Sequence, residues 1–249
     1  METLVIEKIA SDELQKYRAF RIASIITSYP DENFQDILDE YKDLDKLASF
    51  CKTISNEKWE EIEVSLNKLS SKEIELDDLR SEYIDIFDRG RTENSLYETE
   101  YGRERAMVKT NELADLSGFY LAFGLDNDSE NVIPEMADHV SVELEFYAFL
   151  LLKQIYLDEH KIEEGSEIVY EARKNFMRDH LGRFASSIKN RPGVMESDFY
   201  LPVFKWISDL VDNECNLLGV KPEKIDWIYG QSEPETIECA VTSCKINNI

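Results

Sequence analysis

The chain has 249 residues, enough for one large domain or two small ones, and long enough to bury a core without disulfides or metal. Its 9 glycines and 6 prolines fall well below the average usage of roughly 7% and 5%, which disfavours a many-stranded β protein. The formal net charge of -24 excludes the basic surface that nucleic acid or anionic lipid requires, and suits a cationic partner.

Apolar residues recur at steps of three and four, the amphipathic-helix pattern. Ser11 is placed to cap a first helix carrying Ala19, Ile22 and Ile26 on one face. Pro30 interrupts, and Phe34, Ile37, Tyr41 and Leu44 mark a second helix. Trp59, Ile62, Leu66 and Leu69 mark a third, capped by Ser55. Ser70 and Glu73 have capping-box spacing and open a fourth, with Leu76, Leu79, Tyr83 and Ile86.

The polar stretch from Asp88 to Leu96 predicts a loop. A fifth helix follows, with Leu113, Leu116, Tyr120 and Phe123 on one stripe and Gly124 at the left-handed cap position. A sixth begins near Pro134 and is apolar on almost every side from Val140 to Ile155, as the central helix of a bundle would be. The seventh is predicted from about Glu167 to Ile188 as one piece, ending at Pro192 and Gly193. The eighth carries Val203, Trp206, Leu210 and Leu217, with Pro202 in its first turn and Gly219 at its end. The expectation is an all-α, single-domain bundle of about seven to nine helices over residues 1–220. Residues 221–249 form a loosely held C-terminal extension.

Catalytic patterns are missing from the sequence. The three histidines, His139, His160 and His180, form neither a His-Glu-x-x-His nor a Glu-x-x-His pattern, and there is no glycine-rich phosphate loop. Cys51, Cys215, Cys239 and Cys244 are scattered, unlike a disulfide framework, and Cys239 and Cys244 lack the local histidine of a convincing metal site. No cofactor or metal is expected. No run reaches the roughly 20 apolar residues of a membrane span, and the N-terminus lacks a secretory pattern, so a cytoplasmic location is expected.

Two polar clusters stand out. In the first, Asp138 and His139 sit in the first turns of the apolar helix, and His139 and Glu143 are four apart and able to pair. These residues fit either helix capping or a polar patch beside a hydrophobic groove. In the second, Tyr97, Glu98, Glu100 and Tyr101 precede a helix, and fit either peptide recognition or a loop packed on the bundle.

In this order and spacing the clusters resemble the redox-enzyme maturation chaperones that include the TorD, DmsD and NarJ proteins. The likeness runs through Ser28-Tyr29-Pro30-Asp31, the helix end Tyr83-Ile-Asp-Ile86-Phe87, the Tyr97–Tyr101 loop and the helix end Tyr120-Leu-Ala-Phe-Gly124. It continues through Pro134, Asp138, His139, Glu143, Leu144 and Phe146, with one extra residue after the proline, and through Phe176, His180 and Leu181. Leu79 stands where some members have a glutamate, and no family counterpart is found beyond Lys221.

The resemblance implies a non-enzymatic all-α protein, monomeric or homodimeric. It would hold the apo catalytic subunit of a molybdoenzyme, or its twin-arginine signal peptide, until the molybdenum cofactor is inserted. On this reading Asp138, His139 and Glu143, with Tyr97 and Tyr101, line the client-peptide groove, while Tyr83, Phe87 and Phe146 supply its apolar part. A generic helical adaptor for a folded partner is the alternative, and a hidden enzyme a more distant one.

Overall fold

A computed structural model describes residues 2–32, 34, 59–64, 67, 75–102, 105–125 and 136–226, with side chains at 2–11 and 105–108 left aside. Helices make up most of these segments, with no strand among the described residues and one isolated bridge between Tyr97 and His139. The all-α expectation is met. Most of the second helix, the Ser55, Ser70 and Glu73 caps, Pro134, Cys51, Cys239 and Cys244 lie outside the described residues.

Helix α1 spans Glu2–Thr27, so Ser11 is interior rather than a cap. Its predicted face is buried, with Phe20, Ala23 and Ile25 joining Ala19, Ile22 and Ile26. Helix α2, Leu76–Tyr83, continues into a π-helical turn over Ile84–Arg89, which occupies the start of the predicted loop. A single 3-10 turn, Glu98–Glu100, precedes α3, Arg105–Ala122. Gly124 takes the left-handed conformation (φ 78°) after α3, as the sequence suggested.

Helix α4, Val140–Glu159, is the axis of the bundle. Its side chains are buried in most directions: Tyr147 meets Phe20 of α1 at 4.7 Å between ring centroids, and Phe146 meets Phe176 at 4.9 Å. The predicted seventh helix is two: α5, Glu163–Asp179, and α6, Leu181–Ile188. The break falls at His180 (φ -130°, ψ -103°). Gly182 permits it, because a Cβ there would stand 2.1 Å from Met177 O. A short α7, Pro192–Met195, leads to α8, Tyr200–Leu218, which ends at left-handed Gly219 (φ 68°). Trp59, in a helical stretch over 59–64, packs on Trp206 of α8 at 5.1 Å.

A buried ionic knot fastens four helices together. Glu214 of α8 accepts from Arg173 of α5 (2.6 Å) and Tyr147 of α4 (2.5 Å), and pairs with Lys16 of α1 (3.0 Å). Of the C-terminal extension, residues 221–226 are described and lie against α6. Ile225 is buried, its N–H donates to Arg183 O (2.9 Å), and Ser187 donates to Ile225 O. The buried Ile225 side chain and its main-chain bonds to α6 hold this stretch down.

Candidate functional site

The start of α4 organises the site. His139 is extended (φ -74°, ψ 136°) and caps the helix, its Nδ1 accepting from Ser141 N at 3.2 Å. Asp138 and His139 therefore precede α4 rather than occupying its first turns. The two residues run beside the segment after the π-turn: Glu98 N donates to Asp138 O and Val140 N to Leu96 O, both at 2.8 Å. Asp138 Oδ2 accepts from Thr99 N (3.3 Å) and Thr99 Oγ1 (2.5 Å). The clasp thus ties the 96–99 segment to the helix start by main chain and side chain together.

Aromatic rings close over it. The Tyr97 ring meets His139 edge-on at 4.9 Å, and Tyr83 Oη lies 3.4 Å from His139 Nε2. Phe87 packs behind Tyr83 (5.0 Å) and reaches Tyr200 and Phe204 of α8. Tyr101 turns the other way, donating to Ser95 O at 2.7 Å and packing on Phe184. Phe146 belongs to a separate aromatic group with Tyr120, Phe176 and Phe119.

Seven of the eight predicted groove residues are buried: Tyr83, Phe87, Tyr101, Asp138, His139, Glu143 and Phe146. Only Tyr97 is half-exposed, with Arg91 stacked on its ring at 4.1 Å. The density of polar side chains before an apolar helix signalled importance, but capping and loop anchoring use the same residue types as ligand recognition. Nor do His139 and Glu143 pair through their side chains: His139 meets Ser141 and Tyr83, and neither carboxyl oxygen of Glu143 has a hydrogen-bond partner among the described residues.

Glu143 is held well above the ordinary carboxylate range, first by burial and then by the charges of Glu98, Asp138 and Glu112. Glu98 is also raised by burial, against the hydrogen bond and charge of His180. His180 lies between two carboxylates, 3.1 Å from Glu98 Oε2 and 3.2 Å from Asp115 Oδ2. Burial opposes its charged form, but Glu98 and Asp115 together raise it above its ordinary value. Arg183 pairs with Glu112 (3.3 Å) and stands 3.7 Å from Glu98.

In the sequence His180 stands out only through the family likeness it shares with Phe176 and Leu181. The break that frees its ring to reach Glu98 and Asp115 has a local signal, the glycine two residues on. The pairing across 82 residues of sequence has none.

Among the described residues no group of three or more His, Cys, Asp or Glu side chains could hold a metal ion, and no helix is long and apolar enough to cross a membrane. No curated protein and no solved structure matches the chain. The family described as nitrate reductase delta subunit matches residues 41–189, more than half of the chain and across the whole clasp. The resemblance read from Tyr83–Phe87, Tyr97–Tyr101 and Asp138–Phe146 is thereby confirmed, and the chain belongs to the nitrate reductase delta subunit family, a family of molybdoenzyme maturation chaperones.

Proposed function

We propose that this chain binds the N-terminal, twin-arginine type segment of an apo molybdenum-containing oxidoreductase subunit. It holds that subunit in the cytoplasm for cofactor insertion before export or assembly. The observation that carries this reading is the clasp itself, in a chain of this family. Asp138 Oδ2 holds Thr99 of the 96–99 segment and His139 Nδ1 caps α4, which is the work of a binding scaffold rather than of an acid-base pair. Asp138, His139, Glu143, Tyr97 and Tyr101 then act on the client by positioning its docking surface, with Tyr83, Phe87 and Phe146 as the packing that keeps the clasp in register. The net charge of -24 complements a cationic segment and speeds its encounter.

The test is direct binding of the full-length protein to the N-terminal peptide of the molybdenum-containing subunit encoded beside its gene. A scrambled peptide and the whole apo subunit serve as comparisons. Selective capture that weakens with salt is expected. Equal affinity for the scrambled peptide, or capture of only the cofactor-loaded enzyme, would overturn the reading.

A further inference from the structure

One face of α3 and one face of α5 flank an open trough of about 650 Å³. Its floor is apolar, with Phe119, Phe123, Ala172 and the 59%-exposed Ile168. Its rim is acidic, formed by Asp115, Glu164, Glu167 and Glu171, and at one end the Lys153 ammonium lies over the Phe123 ring at 5.2 Å. Asp115 meets His180 and Glu171 meets Lys174, while Glu164 and Glu167 have no ion pair among the described residues.

Gly118 lies in the same wall. A glycine inside a helix costs roughly 1 kcal/mol relative to alanine. Nothing within the described fold requires it here: its φ is not positive, and no neighbouring atom lies within 4 Å of the position a Cβ would take. The room it leaves faces outward, into the trough.

We propose that this trough is the docking site for a segment bearing adjacent cationic side chains beside an apolar run; this rests on the client-binding reading above. The apolar run lies on Phe119, Phe123 and Ile168, with Gly118 admitting its bulk. The cations meet Glu164 and Glu167. Charge decides against the chain's own residues 227–249 as the occupant, since Glu233, Glu235 and Glu238 there outnumber Lys245. The site is tied to the clasp through Asp115, which stands on the rim and holds the Nε2 side of His180, whose Nδ1 side holds Glu98. The buried family residues thus set the trough's wall without touching what fills it.

The experiment uses the full-length protein and a fluorescent synthetic peptide with two adjacent arginines followed by an apolar stretch. Glu164→Gln combined with Glu167→Gln should weaken binding about tenfold, as the loss of two exposed ion pairs would. Gly118→Leu should weaken it at least as much while the melting temperature holds or rises, a combination that misfolding does not produce. The same peptide with its arginines replaced by glutamine should bind wild type no better than the variants. Full affinity in both variants, or no binding of the probe by wild type, overturns the assignment. New protease sensitivity of residues 227–249 in Gly118→Leu would also overturn it, giving the trough to that segment. Capture of the apo subunit by wild type, measured in parallel, separates a misplaced site from a failed client reading: if capture persists, only the trough is wrong.

Discussion

His180 Nδ1 stands 3.1 Å from Glu98 Oε2 with both side chains buried, joining the helix break between α5 and α6 to the turn before α3. The folded protein holds a proton on His180 more tightly than the unfolded chain does. That contribution to stability is complete below the unfolded value of 6.5 and is lost as pH rises through the raised folded value. Glu98 and Glu143 are also raised, from 4.5, so their contributions fade in the same direction as pH rises through their folded values. Chemical denaturation followed from about pH 5 to about pH 9 should show stability falling steadily. A flat or rising profile would contradict the assignment of these three groups.

Glu143 can be isolated from that sum. Its two oxygens have no hydrogen-bond partner among the described residues, and its ionisation is opposed by burial and by three neighbouring acids. Glu143→Gln keeps the shape and removes the ionisable proton. The variant should be more stable than wild type at the alkaline end by roughly 1–3 kcal/mol, the scale of desolvating a buried polar group, with little difference at the acid end. Equal denaturation midpoints at both ends would mean that Glu143 is solvated.

Asp138 is the hinge of the clasp, and its removal strands Thr99 N–H and Oγ1–H in a buried setting. Asp138→Ala should cost about 1–3 kcal/mol by equilibrium denaturation. Combining it with Thr99→Val should cost less than the sum of the two single changes, because the stranded hydroxyl is then gone. Strict additivity would show that the two side chains do not interact.

Much of the fold could be read from apolar spacing. The stripe through Leu116 and Tyr120, the all-round apolar α4 and the stop at Gly219 each follow from one local pattern. Breaks inside a continuous pattern are harder: Phe176, His180 and Phe184 keep a step of four through the interruption, and the break rests on backbone crowding at Gly182 instead. The site was legible as a set of residues but not as a geometry. Asp138 and His139 marked the right place, yet their burial depends on a segment some forty residues earlier folding over them. The trough left no sequence signature, since Gly118 and Ile168 are unremarkable until α3 and α5 are placed side by side.

The knot around Glu214 carries the opposite pH sign. Burial alone would raise this carboxyl, but Lys16 and Arg173, with the Tyr147 and Arg173 hydrogen bonds, lower it below 4.5. Its contribution is present above 4.5 and is lost as pH falls through the lowered folded value, so it acts on the acid side, whereas His180, Glu98 and Glu143 act on the alkaline side. Arg173→Met leaves Glu214 with Lys16 and Tyr147 only and should destabilise by about 3–5 kcal/mol, the scale for orphaning a buried charge. Arg173→Met with Glu214→Gln should recover part of that loss, because the orphaned charge is removed as well. Denaturation of the double variant should also shift the acid transition, since the group that drives it is absent. Recovery without that shift would assign acid unfolding to carboxylates other than Glu214.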